Sequence, residues 1–124
     1  MRQLLFLLCF AVLATHEIDA VMQSEWRLLY VLRSLPDEVA STLFIALHVP
    51  LFMAMLWLHF HHRPRVRDIS RMVLAVFLVV HAGLHLRLSG HPLYSFDSPL
   101  SMALIYGGGV AGLLYSVVAM RHWR

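Results

Sequence analysis

Residues 37–62 read DEVASTLFIALHVPLFMAMLWLHFHH, and this stretch decides the fold. After Asp37 and Glu38 no acid or arginine occurs until Arg63. At ~1.5 Å of rise per residue, a helix of this length exceeds the ~30 Å hydrocarbon core of a bilayer. Pro36, Asp37 and Glu38 make a good first helical turn, since proline and acids both suit a helix N-terminus. Pro50 lies inside the segment, and a kink is expected where a neighbouring helix tolerates one.

Working outward, three more segments of similar character appear, which puts the helices at about 3–23, 37–62, 68–89 and 98–121. The last opens on Ser98-Pro99, an N-cap residue followed by proline at the first helical position. The third is closed by Gly90 and Pro92. In the first, the apolar run Leu4 to Ala14 is followed by Thr15, His16, Glu17 and Asp19. Arg2, that run, and the small residues Val12 and Ala14 also resemble a signal peptide with its cleavage site. Ile18, Ala20, Val21 and Met22 continue the helical pattern and favour a retained span. The expected fold is all-α: a four-transmembrane-helix bundle, up-down-up-down, forming a single integral membrane domain over 1–124.

Composition agrees. Hydrophobic residues make up 60% and charged residues 14% of the chain, against roughly 45–50% and 25% in soluble domains. The ten basic residues exceed seven acids, yet they sit at segment ends rather than along one face, which argues against nucleic-acid binding. Arg63, Arg65, Arg67 and Arg71 follow the second segment, while Arg2, Arg121 and Arg124 mark the termini. Arg27, Arg33 and Arg87 fall on the other side, accompanied by Glu25, Asp37, Glu38 and Asp97. Seven arginines against three place both termini and the arginine loop in the cytoplasm, and the protein in the cell's inner membrane as a multi-pass chain. Trp26, Tyr30, Trp57, Tyr94 and Trp123 fall at the expected interfaces, as an aromatic belt requires. The lone Cys9 sits in an apolar run and reads as a small hydrophobe.

The histidines carry the functional signal. Residue number converts to depth at ~1.5 Å per residue, and the conversion puts His16, His48, His81 and His85 at ~15–21 Å above the cytoplasmic face. Glu17, Asp19 and Tyr106 fall in nearly the same layer. His81 and His85 are four apart and share a helix face; Ala82 and Gly83 leave room for a close neighbour. His16 and Asp19 also share a face, with Glu17 turned ~100° away. Ionisable groups at such depth are expensive and mark function.

A metal site fits this chemistry, because neutral imidazole is the commonest metal ligand and a carboxylate completes or orients the set. Zinc suits it best, iron less so. The expected ligands are His48, His81 and His85, with Asp19 orienting His16 or ligating beside it, and Glu17 as general base of a hydrolytic centre. Too few carboxylates are present for a bundle di-iron site. Two other readings remain open: b-type haem held by two histidines, and an accessory protein whose histidine layer is a hydrogen-bonded core. His59, His61 and His62 read as interfacial residues next to the arginine loop. Gly107, Gly108, Gly109 and Gly112 make a smooth face for a neighbouring helix.

The runs Thr15-His16-Glu17-Ile18-Asp19-Ala20, Glu25-Trp26-Arg27, Leu47-His48-Val49-Pro50-Leu51-Phe52 and His81-Ala82-Gly83-Leu84-His85 together resemble an uncharacterised family of small bacterial four-helix membrane proteins. More remotely the chain resembles the HXXEE family, with Asp19-Ala20 standing where two glutamates belong. The resemblance implies a bacterial inner-membrane protein and supplies no activity. A lipidic substrate, by similarity in kind to intramembrane metal-dependent lipid amidases, is the corresponding expectation for partners, beside the bilayer itself.

Overall fold

A computed structural model describes residues 1–121; Trp123 and Arg124, read above as an interface aromatic and a terminal arginine, lie outside the described residues. Four long helices, α1 (Arg2–Met22), α2 (Asp37–His59), α3 (Pro64–Leu88) and α4 (Pro99–Arg121), form the bundle. Each is long and apolar enough to cross a membrane. Two short 3-10 turns, Glu25–Arg27 and Leu32–Ser34, fill the connection from α1 to α2.

The boundaries differ from the sequence reading at one place that matters. Helix α2 stops at His59 and α3 already starts at Pro64, so the arginine loop is tighter than expected and Arg65, Arg67 and Arg71 belong to α3. The reason is Pro64 itself, whose fixed φ and missing N–H suit the first helical position. Arg63, in extended backbone, is its N-cap. Helix α2 runs through Pro50 without interruption.

Packing is uneven. Helix α4 lies closely along α3 and α1, because its inward face is nearly bare. A Cβ added at Gly112 would run into the carbonyl oxygen of Ala75, and one at Gly109 would come within 2.9 Å of the Ala82 methyl. Gly108 faces Val12 of α1. The smooth face is therefore consumed inside the bundle by Gly108, Gly109 and Gly112, while Gly107 stays exposed with open space around it. Helix α2 is the looser member: Ala40, Phe44 and His59 are its buried residues.

Two apolar clusters stack along the bundle. One, at the arginine-rich end, joins Phe6, Cys9, Leu13, Leu74, Ala75, Leu78, Ala111, Tyr115 and Ala119. The other, at the opposite end, joins Ala20, Trp26, Phe44, Phe96 and Ile105 with Leu32 and Ala40. At that end the 3-10 turns and the α3–α4 loop close over the helices, tied by the Ser95 hydroxyl donating to the Gln23 carbonyl at 2.9 Å. Trp26, expected at an interface, is buried there instead, and its indole N–H donates to Asp37 at 2.9 Å.

Candidate metal centre

His16 projects inward from α1, and His81 and His85 project from one face of α3, as their spacing of four dictates. The three rings pack edge to face, with centroids 4.5 Å apart for His81 and His85, 4.8 Å for His16 and His81, and 5.3 Å for His16 and His85. The Nε2 atoms of His16 and His81 are 2.8 Å apart, so one donates its proton to the other. Phe96, fully buried, lies against His16 and His85 and seals the cluster from above.

A fourth group comes from a turn. Helix α1 ends at Met22, and Ser24 adopts φ 56°, ψ 45°, a left-handed conformation that costs a non-glycine residue about 1–3 kcal/mol. The reversal swings Glu25 back under the end of the helix. Its carboxylate oxygens lie 3.7 Å from His16 Nε2 and 3.7 Å from His85 Nε2. Burial works against a charge on Glu25, but His85, His16 and His81 around it outweigh burial and hold its carboxyl below the ordinary carboxylate range. One ligand atom from each of His16, Glu25, His81 and His85 lies within 4.8 Å of the other three. His16, His85 and Glu25 are 2%, 3% and 8% exposed.

On the far side of the cluster, His85 Nδ1 meets the Tyr94 hydroxyl at 3.1 Å. A partner of this kind fixes the tautomer and leaves Nε2 free to ligate. Burial raises the Tyr94 phenol to about 12, so it serves this contact as a neutral hydroxyl.

The residues singled out from sequence divide into two groups. His16, His81 and His85 come together. His48 does not join them: its Nε2 contacts Glu17 Oε2 at 2.8 Å and its Nδ1 meets the Phe44 carbonyl at 2.7 Å. Since Nδ1 donates to that carbonyl, the proton in the Glu17 contact belongs to an imidazolium or to a protonated carboxyl, and the pair shares it. The depth assigned to His48 agrees with this pairing; its rotation about the α2 axis decided the partner. Asp19 accepts from Gln23 Nε2 at 3.3 Å rather than from His16. Its Oδ2 and the Nδ1 of His16 are both buried without a partner. Tyr106 remains exposed, and Tyr94 is the phenol at the cluster.

Two participants escaped the sequence reading. Position in the sequence groups Glu25 with acids outside the membrane and Tyr94 with the aromatic belt. Both lie beyond helix ends, where depth along a helix no longer predicts position. His59 also departs from its expected interfacial place. It is 4% exposed, packed edge-on against Phe6 and Phe10, with both ring nitrogens unpartnered.

The fold and this cluster define a multi-pass membrane protein with a largely buried group of three histidines and a glutamate that could hold a metal ion. The chain belongs to the family of unknown function DUF6713, which it matches over residues 2–122. No curated protein and no solved structure matches it.

Proposed function

We propose that this is a metal-binding protein of the bacterial inner membrane, with zinc held by His16, Glu25, His81 and His85. The carrying observation is the convergence of four donors, three buried and His81 half-buried, drawn from α1, α3 and the turn between α1 and α2, within 4.8 Å of one another. Tetrahedral zinc at Zn–N distances of 2.0–2.1 Å spaces its ligand atoms by roughly 3.3 Å. Three of the contacts, at 2.8, 3.7 and 3.7 Å, lie on either side of that value, and every pair in the set is within 4.8 Å. Three imidazoles with a carboxylate suit zinc by ligand type. A bare ion fits better than haem, because the rings touch edge to face and leave no slot for a macrocycle. With His16 ligating through Nε2, its Nδ1–H would turn to Asp19 Oδ2 one helical turn away, which accounts for two buried atoms otherwise without partners.

A hydrolytic reading takes its base from Glu17, which stands outside the four-donor cluster and lines a cavity that none of the four donors borders. Glu17 lines an apolar cavity of about 570 Å³ between α2 and α3, walled by residues such as Leu51, Met55, Val73 and Phe77. It also shares a proton with His48. A carboxylate so held beside a lipid-like space suits a base acting on a lipidic substrate. Catalytic zinc needs an open position. Glu25, carried on a turn rather than a helix, is the donor best able to yield one.

The test is the metal content of protein purified in neutral detergent without chelators. About one zinc per chain is expected, lost in His85→Ala and reduced in Glu25→Gln, and retained in His48→Ala and Glu17→Gln. Wild-type protein without stoichiometric zinc, iron or copper overturns the reading. Zinc kept by a His16→Ala/His85→Ala double variant overturns the ligand set.

A further inference from the structure

We infer that the arginine-rich end of the bundle binds the phosphate headgroup of an anionic phospholipid, with Arg71 as the buried anchor. This site is separate from the histidine cluster, at the opposite end of the helices.

Three helix termini meet here: the start of α1, the end of α2 and the first turns of α3. They enclose a cavity of about 600 Å³ lined by Met1, Arg2, Gln3, Phe60, Arg67 and Arg71. Arg67 and Arg71 are four apart on α3 and therefore point the same way. Arg71 is 6% exposed. Its Nε donates to the His59 carbonyl at 3.0 Å, closing the end of α2, and its Nη1 donates to Gln3 Oε1 at 2.6 Å. The guanidinium lies 4.2 Å from the Phe6 ring centroid and 5.5 Å from that of Phe60.

These contacts orient the cation without neutralising it. Among the described residues no carboxylate lies within 4.0 Å of Arg71, and Asp68 is shared between Arg2 at 3.4 Å and Arg67 at 3.5 Å. Three guanidinium groups thus face one carboxylate. A desolvated cation lacking a counter-charge is costly, and the missing partner is an anion. Phosphate fits, since guanidinium groups bind its oxygens in pairs with well-directed hydrogen bonds. The place selects a lipid as the source. Basic pockets between transmembrane helices at the headgroup level receive anionic lipids, and Arg63 and Arg65 nearby add long-range attraction for an anionic surface. Phe60, half exposed at the cavity wall, offers an apolar surface to the glycerol and first methylenes.

The experiment titrates full-length protein in neutral detergent with phosphatidylglycerol, phosphatidylcholine or inorganic phosphate, reading thermal stability and, by native mass spectrometry, retained lipid. Phosphatidylglycerol alone should stabilise and remain bound. Because Arg71→Gln also breaks internal hydrogen bonds, Arg2→Gln and Arg67→Gln provide the second arm, as these side chains are about one-third exposed. Each should weaken phosphatidylglycerol binding roughly tenfold, the effect of losing one charge-assisted contact, with zinc content unchanged. Equal stabilisation by phosphatidylcholine overturns the proposal. So does stabilisation by inorganic phosphate that matches the lipid, or undiminished lipid binding in the Arg2→Gln/Arg67→Gln double variant.

Discussion

Gly112→Ala should loosen the bundle although alanine is the better helix former. The alanine gain in a helix interior is about 0.5–1 kcal/mol. Against it stands the new Cβ, which would overlap the carbonyl oxygen of Ala75 on α3. That atom is backbone inside a helix and cannot rotate aside, so α3 and α4 must separate along a contact that continues through Gly109 and Ala82. Overpacking of this kind costs about 1–3 kcal/mol, which leaves a net loss of up to about 2.5 kcal/mol. Gly107→Ala is the internal control. Nothing lies within 4 Å of a Cβ there, so only the helix gain applies and the net effect is stabilising by about 0.5–1 kcal/mol. The helix gain is common to both variants, so at about 4 °C per kcal/mol for a chain of this length Gly112→Ala should melt below Gly107→Ala by about 4–12 °C, the overpacking cost alone. The assay is the temperature at which half the detergent-solubilised protein loses its monodisperse gel-filtration peak. If Gly112→Ala melts at or above Gly107→Ala, the close α3–α4 approach is not the contact that sets stability. The consequence would reach the histidine cluster, because the same helix face of α3 carries Ala82 next to His81.

Three further outcomes are expected. Tyr94→Phe removes the hydroxyl that meets His85 Nδ1; zinc affinity measured against a competing chelator should fall by about 10–100-fold, as for other outer partners of metal-bound histidines, and an unchanged affinity would remove Tyr94 from the site. Zinc retention should decline as pH falls, because the three histidines must be neutral to ligate and protons compete with the metal for their ring nitrogens. Glu25 is held below the ordinary carboxylate range, so the protons that displace zinc go to the three imidazoles and the release should be steeper than one proton per ion; a release no steeper than that would count against three histidine ligands. For orientation, a fluorescent protein fused to the C-terminus should fluoresce in the cytoplasm and alkaline phosphatase at the same point should be inactive. The reverse pattern would show that the seven-to-three arginine asymmetry does not set the topology.

Much of the architecture was legible before any coordinates. Uninterrupted apolar length, such as Val39 to His62, compels a helix in lipid, since every backbone N–H and C=O must be satisfied within the segment. Depth was legible for the same reason: rise per residue is constant, so His16, His48 and His81 could be placed in one layer, and the contacts of His16 with His81 and of Glu17 with His48 agree. Rotation was not legible. Which neighbour each face meets depends on how α4 docks through its glycines and on how loosely α2 stands off the other three helices. That is why His48 meets Glu17 rather than the other histidines. Nor could sequence foresee Glu25, whose carboxylate reaches the cluster through a left-handed turn at Ser24, a residue with no intrinsic preference for it. Local chemistry determined four crossings and a buried polar layer; tertiary packing alone decided which four groups share a single point, because that choice rests on helix phase and loop path, which no periodicity encodes.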